Sequence, residues 1–177
     1  IFTLSPRAAN GFTMEKSEEK QLRPGLWQTV NDRYPGSMIS KSDFIRLAKL
    51  KKPLNRSRLT FVSTSGTQPK GTLPFDTAHP VGDYTFRRVP SDLKPKDLEI
   101  HQLKYPTVGA DRDLNVIFPI ERLKELAAEK IIGELAENFY SFIGYNMDAE
   151  RLERTLAEDI AEAVAAEKAE VALLAPA

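Results

Sequence analysis

The run Phe139-Tyr140-Ser141-Phe142-Ile143-Gly144, the stretch 148–168 and the run Val171-Ala172-Leu173-Leu174-Ala175 follow one another and decide the fold. Phe139 to Ile143 is short, aromatic and apolar, and Gly144 closes it, so it reads as a strand. Asp148 is placed to cap a helix. Behind it Leu152, Leu156, Ile160 and Ala163 or Val164 recur at helical spacing, with acids and bases on the other face. Val171 to Ala175 is apolar throughout, as expected of a strand covered on both faces.

Upstream the same alternation continues. Arg58-Leu59-Thr60-Phe61-Val62-Ser63 reads as a strand that ends in the polar loop Thr64-Ser65-Gly66-Thr67-Gln68. After the short apolar run Asn115-Val116-Ile117-Phe118, Pro119 begins a helix at its first turn. Leu123, Leu126, Ala127 and Ile131 fall on one face, and Gly133 is the expected terminator. Strand, helix, strand, helix, strand with short connections predicts an α/β fold: an open parallel sheet of the flavodoxin-like or Rossmann-like kind, flanked by helices through right-handed crossovers. Residues 69–112 are rich in Pro, Gly and Asp with little periodicity and read as a long, functional insert. Residues 1–50 form an irregular N-terminal arm with a charge run over 15–20. A short helix is read over 42–50, and Trp27 and Tyr34 anchor the arm on a neighbour. The α/β domain is assigned to 51–177 and is expected to be incomplete at its C-terminus.

Composition narrows the function. The 177 residues carry 25 Lys plus Arg against 25 Asp plus Glu, so nothing points to nucleic acid. No apolar run approaches the roughly 20 residues that span a bilayer, and no signal peptide is visible. The absence of cysteine removes disulfides, Cys-ligated metals and thiol chemistry from these residues. A cytoplasmic location is therefore expected.

In an open parallel sheet, ligands bind outside the carboxyl ends of the strands. Thr64 to Gln68, Gly144 to Asp148 and whatever follows Ala175 leave strands at that edge. The first of these has small hydroxyls and a glycine that let backbone approach an anion, although it lacks the phosphate-loop residues. A second candidate is Gly82-Asp83-Tyr84-Thr85-Phe86-Arg87-Arg88-Val89-Pro90, where Gly and Pro bound an acid, two aromatics and two arginines. It reads either as an anion-facing loop, since Arg grips carboxylates bidentately, or as a surface turn with solvated arginines. His101 is either a proton donor or carboxylate contact, or a hydrogen-bonded structural residue; His79 reads as a loop residue, and the two make a weak metal site. Asp111-Arg112-Asp113 reads as a solvated turn at the start of a helix.

Several segments together carry a family resemblance. They are Lys52-Pro53-Leu54-Asn55-Arg56-Ser57-Arg58, Phe61-Val62-Ser63-Thr64-Ser65-Gly66, Pro74-Phe75-Asp76, the Gly82 to Pro90 segment and His101. Asp113-Leu114-Asn115-Val116-Ile117-Phe118-Pro119-Ile120-Glu121-Arg122-Leu123 and Ser141-Phe142-Ile143-Gly144-Tyr145 complete the set. In this order they resemble the selenoprotein B family, the substrate-specific subunits of glycine, sarcosine and betaine reductases and of D-proline reductase. The resemblance covers about residues 52–177.

What it implies is an oxidoreductase subunit acting on a small amino acid or amine. The reductant in that family is a selenocysteine, or a cysteine in variants, with a second cysteine three positions on, just after a strand resembling Val171 to Ala175. The redox residue is thus expected just after Ala177, and none lies within the chain. The resemblance further implies that Arg87 and His101 hold a substrate carboxylate or stabilise the anionic nucleophile, that Asp83 orients Arg87 or the substrate, and that Asn115 and Thr64, Ser65 and Gly66 line the pocket. It implies no cofactor in this chain; in some members a partner subunit carries a pyruvoyl group. A homo- or hetero-oligomer is expected. Two other readings stay open: a non-catalytic α/β binding or assembly module that partners a catalytic subunit, and a relative that removes sulfur or another heteroatom by the same chemistry.

Overall fold

A computed structural model describes residues 48–103 and 105–177, together with 32, 33 and 35. The arm read for 1–50, with Trp27, Tyr34 and most of the helix read over 42–50, lies outside the described residues.

Strand β1 (Arg58–Ser63) is central. On one side it pairs in parallel with β5 (Glu134–Leu135) and then β6 (Asn138–Ser141); on the other it pairs in parallel with β7 (Val171–Ala175). β5 and β6 flank the same side of β1, with Ala136 and Glu137 interrupting them. The outer strand β3 (Arg87–Pro90) runs antiparallel to β6, with Arg87 opposite Ser141 and Val89 opposite Phe139. β2 (Thr67–Pro69) and β4 (Leu98–Ile100) form a separate antiparallel pair. The predicted α/β class and open, mostly parallel sheet are therefore observed.

Strand alternation builds two cores. Leu59 and Phe61 of β1 face one side, where Phe61, Phe118 and Phe139 meet edge to face with centroids 5.2–6.2 Å apart. Helix α2 (Ile120–Ala128) closes that core through Ile120 and Leu123. Val62 and Tyr140 face the other side, beneath Leu156, Ile160 and Ala163. The latter residues belong to one helical run composed of α3 (Ala149–Arg151), a π-helical stretch (Leu152–Ala157) and α4 (Glu158–Ala166). Asp148 caps this run as predicted, its carboxylate accepting from Arg151 N at 2.9 Å.

Four expectations are corrected. The helix that starts after Pro119 stops at Ala128, not at Gly133. Lys130 takes the left-handed conformation at φ 60°, and the amides of Lys130 and Ile131 bond back to Ala127 and Leu126. Ile131 is consequently exposed, while Ile132 enters the core. Gly133 serves another purpose: a Cβ there would lie 2.7 Å from Ser57 N and O, so a glycine lets the start of β5 approach β1.

The second correction concerns 69–112, which is not structureless. It holds β3, β4 and α1 (Val108–Arg112), each too short and too interrupted by Pro and Gly to show a period. Third, half of the Gly82 to Pro90 segment is strand rather than loop, with Pro90 ending an outer strand, where the ladder tolerates it; Thr67 and Gln68 likewise belong to β2. Fourth, β7 is covered on one face only. Val171, Leu173 and Ala175 pack on the first core, whereas Ala172 and Leu174 are exposed, Leu174 at 70%. The long helical run lies over β1 and β6, and among the described residues no second helix extends over β7. An apolar groove of about 640 Å³ remains between them.

Candidate functional site

The carboxyl ends of β1, β6 and β7 converge as the topology requires, and small residues fill the junction. Ser63 Oγ accepts from Ser65 N at 3.2 Å. Ser65 Oγ lies 2.9 Å from Thr67 Oγ1 and 3.5 Å from Ser141 Oγ, all of them buried. Each buried hydroxyl thus has a partner, which removes the penalty of burying it bare. The turn after β1 is then gripped from both sides. Gly66 N donates to Phe142 O at 3.0 Å, Gly144 N donates to Thr64 O at 3.2 Å, and on the other side His101 N donates to Gly66 O at 2.8 Å. Tyr105 OH donates to Ser65 O at 2.9 Å; burial, and secondarily the charge of Asp111, raises the pKa of that phenol.

Gly66 makes this closeness feasible. It sits at φ +66°, and a Cβ there would be 2.4 Å from His101 O. The structure therefore brings Ser65, Gly66 and His101 together, through the β2–β4 pairing that sets Thr67 opposite Ile100. His101 Nε2 lies 3.2 Å from Glu99 Oε1, and that oxygen also accepts from Gln68 Nε2 at 3.2 Å.

The Asp83 loop is strapped to the exit of β6. Gly82 bridges Asn146, Met147 N donates to Val81 O at 2.9 Å, and Asp148 N donates to Tyr84 OH at 2.8 Å. Between the loop and the β6 exit lies a water-sized cavity of about 10 Å³, lined by Asp76, Gly82, Asp83, Gln102, Ile143 and Tyr145 among others. Asp83 itself faces inward. Its Oδ2 accepts from Asp76 N at 2.8 Å, and its Oδ1 accepts from Thr85 N at 2.8 Å and from the Thr85 hydroxyl.

Arg87 leans toward the chain before this loop. Its guanidinium donates to Leu73 O at 2.9 Å, Thr85 Oγ1 at 2.8 Å, Phe86 O at 3.1 Å and Pro74 O at 3.1 Å, and it stacks 4.1 Å over the Phe75 ring. Arg88 is exposed, and its charge acts on Glu167 instead. Asn115 bonds to Asp113 and Glu121. It caps helix α2: its Oδ1 accepts from Glu121 N at 3.0 Å and its Nδ2 donates to Glu121 Oε2 at 2.8 Å and Asp113 Oδ1 at 2.9 Å. The side-chain bond from Asn115, then its backbone amide, hold the Asp113 carboxyl below its usual range.

Sequence reading missed Ser63, Ser141, Tyr105 and Gln102 as parts of this edge. The available signal was a serine at a strand position inside an apolar run, at Ser63 and again at Ser141. Among the described residues no group of three or more His, Asp or Glu side chains could hold a metal ion, and no helix is long and apolar enough to cross a membrane.

This geometry defines an α/β protein whose candidate site lies at the carboxyl edge of the sheet. The model of the glycine/sarcosine/betaine reductase selenoprotein B family matches residues 31–176, and the chain belongs to that family. It is similar to the D-proline reductase subunit gamma of Acetoanaerobium sticklandii, 28% identical over 123 residues that cover 70% of this chain and 50% of that one. It is also similar to the glycine reductase complex component B subunit gamma of Peptoclostridium acidaminophilum, 24% identical over 158 residues, 88% of this chain and 34% of that one. The same subunit of Carboxydothermus hydrogenoformans is 29% identical over 96 residues, 52% of this chain and 22% of that one. The chain thus spans half or less of the length of these relatives. No solved structure matches it.

Proposed function

We propose that this chain is the sheet-forming part of a reductase-complex subunit that cleaves a C–N bond in a small amino acid or amine, with a selenolate or thiolate on the segment after β7 as reductant. The observation that supports this best is the junction of β1, β6 and β7: the chain leaving β7 arrives beside Thr64, in the crevice where an open sheet binds its ligand.

In the proposed reaction the selenolate or thiolate attacks the carbon bearing the nitrogen. The C–N pair leaves with the nitrogen, which takes up a proton. A neighbouring cysteine thiolate then attacks the adduct, the carbon takes the released pair and a second proton, and a bond between the two chalcogens forms. The two electrons come from the selenol–thiol or dithiol pair, and an external dithiol restores it. Where a pyruvoyl group takes part, a partner subunit supplies it.

Within this reading His101 and the backbone around Thr64, Ser65 and Gly66 face the substrate. Asp83 and Arg87 build the loop that flanks it, and Asn115 holds the start of α2. The intended substrates are the amino acids and amines named for the family, and the setting is a cytoplasmic hetero-oligomer. A second reading, a non-catalytic assembly module, is favoured by the open apolar face that carries Ala172 and Leu174. The test is the intact mass of the native polypeptide, its alkylation by iodoacetamide, and dithiol-dependent turnover of glycine, sarcosine, betaine and D-proline with its partner subunits present. A reactive thiol or selenol and turnover of one substrate are expected. A native chain with no alkylatable group overturns the reductase reading in favour of the module.

A further inference from the structure

Among the described residues, Thr64 is the one polar side chain lining the apolar groove between β7 and the long helical run, a wall it shares with Val62, Phe142, Leu174, Ala175 and Pro176. Its hydroxyl is engaged at the solvent-exposed end: Thr64 Oγ1 accepts from Ala177 N at 2.9 Å. The same residue's carbonyl accepts from Gly144 N at 3.2 Å. One residue therefore ties the carboxyl ends of three adjacent parallel strands, β6, β1 and β7. Gly144 leaves room for this, because a Cβ there would lie 3.0 Å from Thr64 Cβ and 3.2 Å from its Oγ1.

We infer that Thr64 is a positioning residue: its hydroxyl holds the main chain as it leaves β7, and so sets where the following residue enters the crevice beside Ser65, Gly66 and His101. The inference rests on the reading above in one respect, that the residue so placed bears the reducing selenol or thiol. Its structural half stands on the two hydrogen bonds and the close contact of Gly144. β7 ends on an exposed sheet edge, and a single side-chain bond there restrains a chain that the ladder no longer holds.

The test uses the full native chain carrying Thr64→Val, Thr64→Ser or Gly144→Ala. Two quantities are read: hydrogen exchange at the Ala177 amide and the pH profile of iodoacetamide alkylation. Thr64→Val should speed exchange at Ala177 roughly five- to tenfold, the loss of one ordinary hydrogen bond. It should also move the alkylation midpoint by about 0.5 pH unit or more. Thr64→Ser should restore both, and Gly144→Ala should resemble Thr64→Val. Unchanged exchange at Ala177 in Thr64→Val overturns the anchoring. Faster exchange with an unmoved alkylation profile overturns the positioning role while leaving the reductase reading intact. No alkylation in the unmutated chain overturns that reading and the positioning role together.

Discussion

The two edges of the sheet are held by different chemistry. At the amino edge, long charged side chains reach across the strands. Arg58 Nε meets Glu134 Oε1 at 2.8 Å, Lys52 Nζ meets Glu170 at 2.8 Å, and Glu167 accepts from Asn138 N at 3.0 Å, Asn138 Nδ2 at 2.8 Å and Tyr140 OH at 2.7 Å. At the carboxyl edge the junction of β1 and β6 is made by glycines at van der Waals limits and by small hydroxyls, with backbone against backbone. Partly exposed ion pairs are soft: water replaces much of what a lost partner provided. Close backbone approach is hard, since nothing replaces the missing space. The hard kind of contact occurs at Gly66 and Gly144 on the carboxyl edge and at Gly133 beside Ser57 on the amino edge, where the ion pairs accompany it.

The largest expected effect sharpens this contrast. Gly66→Ala forces a side chain into a left-handed conformation and against His101 O, and should cost roughly 2–5 kcal/mol in denaturant unfolding. A cost under about 1 kcal/mol would break the comparison. A smaller effect is expected at the amino edge. Glu167→Gln keeps an acceptor but loses the charge, and should cost about 1–2 kcal/mol once solvent screening is allowed for.

That substitution also tests the pH response. Burial alone would raise the Glu167 pKa, but the bonds from Asn138 N, Tyr140 OH and the Asn138 amide, with the charge of Arg88, outweigh it and hold the pKa below its ordinary 4.5. A carboxyl depressed in the folded state stabilises fully above its unfolded pKa, and that contribution fades as pH falls through the folded value. Unfolding free energy should therefore drop more steeply between about pH 5 and pH 3 in the unmutated chain than in Glu167→Gln. Parallel curves would remove Glu167 from the account. The smallest effect is Lys52→Ala, which deletes an exposed pair with Glu170 and should shift the thermal midpoint by about 2 °C or less.

What could be read from sequence follows the same division. β1 and both long helical segments were legible because each has enough residues to show its pattern; β6, with 4 residues, and β7 were legible from their apolar composition instead. The helix end was misplaced because a lysine, Lys130, performs the turn that a glycine usually makes; Lys168 at φ 56° does the same after α4. β3 and β4 are 4 and 3 residues long, below the length at which alternation is visible. At the site, Thr64, Ser65 and Gly66 follow β1 at the carboxyl edge, where position after a strand is a sequence property; His101 joins them only through the β2–β4 pairing, which the sequence does not show. The partners of Arg87 and Asn115 were not legible. A guanidinium that stitches residues 73–75 to β3 and one that grips a substrate use the same side chain, and only coordinates distinguish them.

The central place of β1 also governs how this protein is made. Its partners on the β7 side come from far along the chain: Arg58 and Glu170, which touch, are 112 residues apart. At about 5–20 residues per second of synthesis, β1 waits on the order of ten seconds before β7 exists to pair with it. During that time the hydrogen-bonding edge of β1 that β7 will occupy has no strand against it. Long-range parallel pairing is slow even once both strands are present, so folding of the nascent chain is governed by this late closure. The slower the synthesis, the longer β1 keeps that edge unpaired before β7 arrives.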